Sequence, residues 1–555
     1  MTEMSTSRYL RRDVGLVGLL FTSLGSVIGS GWLFGALTAS SIAGPAAMLS
    51  WLLGGAAVTI LALAHAEVGA MFPVAGASAR IPHFAFGSLA GFCAGWFAFL
   101  GCVTTAPIEV EAALQYATHY IPGLTVEHAH QIVLTGLGYA VAALMMLFFS
   151  AINVLGVRWL SKTNIVTMWW KIAIPVVTVI ALVFVSFHSG NFTAGGGFMP
   201  AGMKGVFSAI ATGGVIFGFI GFEQAIQLGA ESRNPRRNIP LAVIGSVLIG
   251  VVLYLALQFA FIAALDPASL QHGWSALSSS GNTKQFGPFA ALATGLGLGW
   301  LAFALYTDAF ISPTGTGLLY VATSSRLSYA MGRQRYIPAI FGRLNLRGAP
   351  VYAIAFSFLC GMIVFLPFPG WQQLVGFVSS ATVIAYAMIP LALGALRKTA
   401  PDQPRPYRLP CSSVLAPLAF IVANEIILFS AWVVVWKLLV AIAIGFVLLG
   451  IALATTPTAQ RPKLAWRPVA WMWPYLIGLG LVSYLSSFNI QDTDRIPLLG
   501  VEGPTGTLGF GWDIAVMAAF SLGIYYLALQ LRLPVLADQT DEHELQEEEL
   551  ERLPV

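Results

Sequence analysis

The chain has 555 residues, of which 57% are hydrophobic and only 9% are charged, and its formal net charge is +4. A soluble domain carries about 25% charged residues, so this composition excludes a water-soluble fold and indicates a membrane protein. The apolar runs are long and continuous, as in residues 172–187 and 438–454, whereas the strands of an outer-membrane barrel alternate apolar and polar residues over about ten positions. We therefore expect an all-α polytopic protein with room for about twelve to fourteen spans.

Apolar runs between charged or Pro- and Gly-rich segments predict fourteen transmembrane helices. We place them near residues 14–38, 45–70, 86–118, 132–151, 163–187, 205–229, 239–265, 287–318, 351–367, 371–396, 413–432, 435–455, 472–489 and 511–531. The first ten form two groups of five, at residues 14–187 and 205–396, and the pairs 413–455 and 472–531 follow. Residues 1–13 and the acidic tail 532–555 lie outside the predicted spans.

The distribution of basic residues predicts the orientation of these helices. With the N-terminus inside, 23 of the 28 Lys and Arg residues fall in cytoplasmic segments, as the positive-inside rule requires. Both termini are therefore expected in the cytoplasm, and no cleavable signal peptide is expected, because the apolar run that begins at Val14 lacks a small-residue cleavage site. The four cysteines show no metal-ligand spacing, so we expect neither a metal nor a cofactor. Nothing in the sequence indicates a nucleic-acid partner.

Two predicted helices, the first and the sixth, contain clustered glycines at matching places five helices apart. Gly-interrupted hydrophobic segments in corresponding halves are typical of inverted-repeat transporters, which bind substrate at broken helices near the membrane midplane. The alternative is that these glycines only permit close helix packing. The glycines are Gly25, Gly29 and Gly31 in the first helix, and Gly213, Gly214, Gly218 and Gly221 in the sixth.

Four stretches in order resemble the amino acid, polyamine and organocation (APC) transporter superfamily. They are GSVIGSG at 25–31, AEVGAMFPVAG at 66–76, FGFIGFE at 217–223 with its continuation to 240, and SRLSYAMG at 325–332. The resemblance covers about residues 14–396 and is to bacterial members of the aspartate:proton symporter type. It implies a 5+5 inverted-repeat core with broken helices 1 and 6 in a bacterial inner membrane. It says nothing about the last two helices.

The resemblance also implies a site for the common part of an amino acid. Freed N–H groups at a half-helix N-terminus can hold a carboxylate, and the superfamily places this contact at Gly29, Ser30 and Gly31. The ammonium group would contact carbonyls near Val27 and Phe217, with Ile220 nearby. Phe217 would also close over the substrate from outside, although an aromatic residue in a helix is commonly a packing residue.

Lys171 lies about eight residues into the fifth predicted helix, or roughly 12 Å from its start. A charge at this depth costs at least about 2.5 to 3.5 kcal/mol, so it is expected to face a cavity or a partner. Its position resembles that of superfamily members in which a fifth-helix lysine replaces a sodium ion. Two interpretations remain open: a proton-coupling residue that titrates, or a permanent tether of the broken first helix.

Several acids also fall within or beside predicted spans. Asp308 and Ser312 share a helical face, which we expect to approach Lys171, and Glu223 follows the sixth-helix break, where related transporters have an acid implicated in gating or proton passage. Glu67 and Glu231 are expected to form gating or loop salt bridges at the cytoplasmic ends. Further intramembrane acids are Glu109, Glu111 and Glu425.

The resulting functional prediction is a secondary active amino-acid transporter, coupled to protons and working by alternating access in the lipid bilayer. A sodium-independent amino-acid or polyamine exchanger is the alternative, and a channel or a non-transporting sensor is a more distant one. No catalytic motif supports an enzyme. The resemblance favours aspartate or glutamate as cargo, whereas the excess of buried acids favours a cationic substrate, so the sequence leaves the cargo open.

Overall fold

The structure is a computed structural model that describes residues 14–74, 76–128, 131–155, 158–278, 287–345, 348–489 and 506–536, with the backbone only for 158–166. The predicted N-terminal segment 1–13 and the acidic residues 537–555 lie outside the described residues. In the described part, each of the fourteen predicted spans coincides with a helix or with an interrupted series of helices.

The spans are numbered here in chain order. They are span 1, Leu16–Val27 and Gly31–Ala43; span 2, Ala47–Met71; span 3, Ser88–Ala117; span 4, Gly136–Leu155; span 5, Arg158–Val185; span 6, Gly202–Thr212, Val215–Phe219 and Gln224–Gln227; span 7, Pro235–Ala264; span 8, Pro288–Gly295 and Gly299–Arg333; span 9, Val351–Val364; span 10, Trp371–Thr399; span 11, Ser412–Phe429; span 12, Ala431–Thr455; span 13, Met472–Leu485; and span 14, Trp512–Leu531.

Length and hydropathy support a membrane location for this helical assembly. Within the described residues, ten helices are long and apolar enough to cross a bilayer, and the bent series of span 6 makes eleven. Two shorter apolar helices, Leu16–Val27 and Val351–Val364, complete spans 1 and 9. The prediction of an all-α polytopic protein is confirmed.

Spans 1 and 6 are both interrupted, as their glycines predict. Span 1 loses its helical conformation at residues 28–30, and span 6 does so at 213–214 and again at 220–223. Gly214 and Gly221 have φ angles of +87° and +120°, a region that residues with a side chain rarely adopt. The two parts of span 6 on either side of Gly214 are inclined by 47°.

Two short elements between spans were not predicted. A helix, Ala77–Phe86, follows span 2, and an antiparallel hairpin of Thr125–His128 and Gln131–Leu134 follows span 3. Span 8 also continues to Arg333, well beyond its predicted end at residue 318. Its last part carries serines that lower the hydropathy, but these serines are buried and donate to carbonyls of their own helix, so they do not end it.

The packing places the interrupted segments at the centre of the molecule. Span 8 packs along span 3, span 7 along span 2, and span 10 against spans 3 and 11. Spans 13 and 14 pack against each other and against spans 11 and 12, and span 14 also contacts span 10. The helices around spans 1 and 6 can therefore supply side chains to main-chain groups that the breaks release.

Candidate substrate site

The breaks of spans 1 and 6 lie against each other. The Ser23 hydroxyl donates to the Phe222 carbonyl at 3.0 Å and accepts from the Ala225 N–H at 3.2 Å. A Cβ atom at Gly221 would lie 2.8 Å from the carbonyl carbon of Ser26. The absence of a side chain at Gly221 therefore allows the two uncoiled segments to touch.

Lys171 holds the end of the first half of span 1. Its ammonium group donates to the Gly25 carbonyl at 2.8 Å and to the Thr316 hydroxyl at 2.9 Å. Thr316 in turn donates to the same carbonyl at 3.3 Å. The lysine side chain is buried, and the prediction that it faces a partner is confirmed: that partner is the main chain of the broken helix.

Two more side chains bind main-chain groups of the span 1 break. The Ser30 N–H donates to both carboxylate oxygens of Glu109, at 2.9 and 3.2 Å, and the Tyr254 hydroxyl donates to the Val27 carbonyl at 2.9 Å. Unpaired peptide groups are costly inside a membrane and are tolerated only where other partners satisfy them. Spans 3 and 7 provide these partners.

A small, narrow pocket lies between the breaks. It contains about 180 Å³ of atom-free space but is too narrow for a water-sized sphere, so its walls must separate to admit an amino acid. Four of the six residues predicted to bind substrate line it. The lining residues are Ser26, Val27, Gly29, Thr105, Glu109, Phe217, Ile220 and Tyr320.

The other two predicted binding residues, Ser30 and Gly31, do not line this pocket. The Ser30 hydroxyl accepts from the Trp371 indole N–H at 3.0 Å, and a Cβ atom at Gly31 would lie 3.0 Å from Gly218. The Ser30 N–H, which the resemblance assigns to the substrate carboxylate, is bound to Glu109. The protein's own carboxylate thus uses the donor that was expected to hold the ligand.

Aromatic side chains cover one side of the pocket. The Phe217 ring is buried and packs edge-on against Trp371, with ring centroids 6.0 Å apart, and Trp371 also packs on Phe34 at 5.0 Å. Phe34 belongs to the second half of span 1 and Trp371 to the start of span 10. This arrangement is compatible with the predicted closing role of Phe217.

Glu223 lies in the span 6 break, and its carboxylate is fully engaged. It accepts from the Gly221 N–H at 3.0 Å, from the Tyr386 hydroxyl at 2.5 Å and from the Gln224 amide at 3.2 Å. The break in span 6 is therefore bound to span 10 through one acid, in the same manner as the break in span 1 is bound to span 3.

Asp308 lies on the face of span 8 that approaches Lys171, as expected, and its carboxylate interacts electrostatically with that lysine. One carboxylate oxygen accepts from Ser312 at 2.7 Å, and the other has no hydrogen-bond partner in the described part of the chain. The direct contact with Lys171 comes from Thr316, one turn beyond Ser312 on the same face.

Glu67 forms an ion-pair cluster at the end of span 2 that is expected to be cytoplasmic. Its carboxylate accepts from the Arg397 guanidinium at 3.0 and 2.5 Å and from the Leu409 N–H at 2.7 Å, and Arg405 lies at 3.4 Å. Burial lowers the pKa of Arg405, and the Glu67 carboxylate acts in the opposite direction. For Glu231, no ion partner is found among the residues that the structure describes. Its main-chain carbonyl accepts from the Val14 N–H, and its N–H donates to the Leu228 carbonyl.

Comparison with known proteins agrees with this geometry. A family model described as amino acid permease matches residues 14–482. The chain belongs to the amino acid permease family. This permease is 38% identical over 533 residues to the glutamate/serine transporter AimA of Bacillus subtilis, with 94% of each chain covered. It is 33% identical over 545 residues to the aspartate-proton symporter of the same organism, covering 97% of this chain and all of that protein.

A more distant relative is the branched-chain amino acid permease BcaP of Bacillus subtilis, which is 26% identical over 463 residues, covering 80% of this chain and 93% of that one. The family and these relatives are transporters. The permease is accordingly a multi-span plasma-membrane transporter of amino acids and not an enzyme.

Several residues of the permease site were not singled out by the sequence. The sequence identifies Glu109 only as one of several intramembrane acids, and its depth in an apolar helix is the available signal. The sequence contains no such signal for four other residues, because a tyrosine, threonine or tryptophan is common in a membrane helix. These residues are Tyr254, Thr316, Tyr386 and Trp371. Their partners lie 145 to 341 residues away in the chain.

Proposed function

We propose that the permease is a sodium-independent proton symporter for small acidic or hydroxylated amino acids, with both termini in the cytoplasm. The observation that carries this proposal is the ammonium group of Lys171, 2.8 Å from the Gly25 carbonyl. A bound positive charge at the end of a half-helix can do there what a metal cation would do: it neutralises the negative end of the helix dipole and occupies freed carbonyls.

Glu109 supplies a second argument for proton coupling. Its carboxylate occupies the Ser30 N–H, and the substrate carboxylate is predicted to need the same donor. Two carboxylates that share one site repel each other unless one takes a proton. Substrate binding would then require Glu109 to accept a proton and leave, so that the proton travels with the amino acid. Lys171, Tyr254 and Tyr320 also face Glu109 and would influence this exchange.

The names of the relatives and the hydrogen bonds of the buried acids support an acidic or hydroxylated amino acid as the substrate. The relatives are named for glutamate, serine and aspartate. A cationic substrate would need free carboxylates in the pocket, but Glu109 is bound to Ser30, and Glu223 is bound to Gly221 and Tyr386. We therefore favour an acidic or hydroxylated amino acid over a polyamine.

Alternating access would involve the closures at the two ends of the pocket. Phe217 with Trp371 would form the outer closure, because it covers the pocket next to the second half of span 1. Glu67 with Arg397 would form the inner closure by joining spans 2 and 10. We also propose that three residues couple protonation to the movement of the broken helices: Lys171, Glu223 and Asp308. Lys171 binds the span 1 break, Glu223 binds the span 6 break, and Asp308 faces Lys171. Glu231 remains a predicted gating residue.

Uptake into proteoliposomes tests this function. An inward proton gradient should drive uphill accumulation of glutamate, aspartate or serine, and replacing sodium with choline should change it little. Strict sodium dependence would contradict the proposal, and accumulation driven only by internal amino acid would indicate exchange. Lys171→Ala should abolish uphill accumulation, whereas Lys204→Ala, at an exposed lysine outside the site, should not.

A further variant distinguishes the two interpretations of Lys171. Lys171→Arg keeps a permanent positive charge beside Gly25, because arginine does not lose its proton in proteins. If the lysine is only a tether, this variant should retain proton-driven accumulation. If the lysine titrates during transport, the variant should still bind substrate but should accumulate it only to equilibrium.

A further inference from the structure

The hydroxyl of Tyr320 is a polar group in the pocket wall that the site leaves unused. Tyr320 lies on span 8, is 1% exposed and lines the pocket together with Gly29 and Phe217. Its hydroxyl has no hydrogen-bond partner among the described residues. The amide of Gln224 faces the hydroxyl oxygen as a donor, and the carboxylates of Glu109 and Glu223 interact with it electrostatically, but no described atom accepts the hydroxyl hydrogen.

The other hydroxyl groups of the pocket have already donated their hydrogens. Ser26 donates to the Thr22 carbonyl at 3.0 Å, and Thr105 donates to the Gly101 carbonyl at 2.8 Å, each within its own helix. Among the described side chains that line the pocket, Tyr320 therefore has the hydroxyl hydrogen that is still available. Buried polar groups are normally satisfied, and one that is not calls for a ligand or a water.

We propose that Tyr320 determines substrate specificity by donating a hydrogen bond to an oxygen atom on the side chain of the transported amino acid. This inference rests on the proposed function, and it adds the residue that recognises the part of the substrate that differs between amino acids. Main-chain groups at the breaks recognise the common carboxylate and ammonium, which leaves the pocket wall to distinguish side chains. A short apolar side chain would leave the tyrosine hydroxyl unpaired.

The surroundings favour a hydroxyl-bearing side chain in particular. A serine hydroxyl can accept from Tyr320 and donate to a neighbouring carboxylate such as Glu223, which also faces Tyr320. An acidic side chain can also accept from Tyr320, but it would face the carboxyl groups of Glu109 and Glu223 and would need them to be neutral. Serine and alanine differ only by this hydroxyl, so they form the direct pair of probes.

The test is equilibrium binding of serine and alanine to the purified full-length protein in nanodiscs at one pH. The wild-type protein should bind serine about 10-fold more tightly than alanine. Serine gains a hydrogen bond from Tyr320, whereas alanine leaves the tyrosine hydroxyl unpaired, and this difference corresponds to about that ratio. Tyr320→Phe should weaken serine binding about 10-fold, leave alanine binding unchanged and bring the ratio near 1. Tyr475→Phe removes a buried tyrosine hydroxyl outside the site and should leave the ratio unchanged.

Two results would overturn the inference. One is a wild-type protein that binds serine and alanine equally, which needs no variant and so does not depend on the folding of Tyr320→Phe. The other is a Tyr320→Phe variant in which the binding of serine and alanine is weakened equally, or in which neither is weakened. Because this assay uses no gradient, it is separate from the symport test: proton-driven uptake with an unchanged serine-to-alanine ratio in Tyr320→Phe would reject the role of Tyr320 alone.

Discussion

The carboxylate of Glu109 binds the N–H of Ser30 at 2.9 and 3.2 Å, so an acid of span 3 caps the second half of span 1. Ser30 immediately precedes the helix Gly31–Ala43, and a negative charge is stabilised at this end by the free N–H groups and the helix dipole. The same physics that predicts a substrate carboxylate at this position explains why the protein's own carboxylate is found there.

The first prediction concerns the removal of this charge. Glu109→Gln keeps an oxygen acceptor for Ser30 but cannot take up or release a proton. Uphill accumulation driven by a proton gradient should fall at least about 10-fold, while exchange of labelled for unlabelled substrate at equal pH should persist. Both are measured by uptake into proteoliposomes.

Glu111→Gln is the matched control for this experiment. Glu111 is a buried acid two residues further along span 3, and its carboxylate oxygens have no hydrogen-bond partner in the described chain. It does not line the pocket, so its variant should keep gradient-driven accumulation. Retention of full accumulation by Glu109→Gln would show that Glu109 does not carry the coupled proton.

The second prediction concerns the close approach of Gly29 to the same acid. A Cβ atom at Gly29 would collide with a Glu109 carboxylate oxygen and would lie 3.2 Å from the Thr316 hydroxyl. Gly29→Ala should therefore displace Glu109 and reduce substrate affinity at least about 10-fold in a binding assay. At Gly15 no atom lies within 4 Å of an added Cβ, so Gly15→Ala should bind substrate normally. Equal affinities of the two variants would contradict a tight fit at the break.

Much of this fold could be predicted from the sequence because membrane burial leaves a strong signal. Long apolar runs gave the fourteen spans, and glycines gave the two breaks, since an uncoiled segment at close approach needs residues without a Cβ. Lys171 was recognisable because a lone lysine at that depth needs a partner. The amphipathic helix Ala77–Phe86 and the hairpin after span 3 carry no comparable hydropathy signal.

The partners of the breaks could not be predicted in the same way. Tyr254 and Val27 are 227 residues apart, and Ser30 and Glu109 are 79 residues apart. The sequence indicates which main-chain N–H and carbonyl groups lose their helical hydrogen bonds at a break. It does not indicate which neighbouring helix provides new hydrogen-bond partners for them. That information depends on the packing of spans 3, 7 and 8 around span 1. For this reason the sequence predicts a substrate carboxylate at the Ser30 N–H but does not indicate that Glu109 binds the same group.

The third prediction concerns the inner closure. Glu67→Gln removes the negative charge that binds Arg397 and Arg405, and loss of one partner from a buried ion pair typically costs about 3 to 5 kcal/mol. The state closed at the cytoplasmic end should become less populated. Spin labels at the ends of spans 2 and 10 should then report longer distances, and substrate efflux should accelerate.

Glu231→Gln tests whether the second predicted gating acid has the same role. Since no described residue pairs with the Glu231 carboxylate, we expect the label distances and the efflux rate of this variant to match the wild-type values. If Glu231→Gln opens the cytoplasmic end as Glu67→Gln does, Glu231 acts in the gate. If neither variant does so, the Glu67 cluster is not a gate.

The last prediction separates the stability of the additional helices from transport. Asn424 of span 11 donates to Ser521 of span 14 at 2.9 Å and accepts from Tyr475 of span 13 at 2.7 Å. Hydrogen bonds between membrane helices contribute about 0.6 kcal/mol each on average. Asn424→Ala should therefore lower the melting temperature by a few degrees and leave the affinity for substrate unchanged.

Thermal unfolding in detergent and uptake kinetics measure these two effects separately. Gln271→Ala, at an exposed amide after span 7, is the control and should alter neither quantity. Because Asn424 lies outside the first ten spans, a change in KM without a change in stability would mean that spans 13 and 14 communicate with the substrate site. An unchanged melting temperature would mean instead that apolar packing alone holds these two helices against span 11.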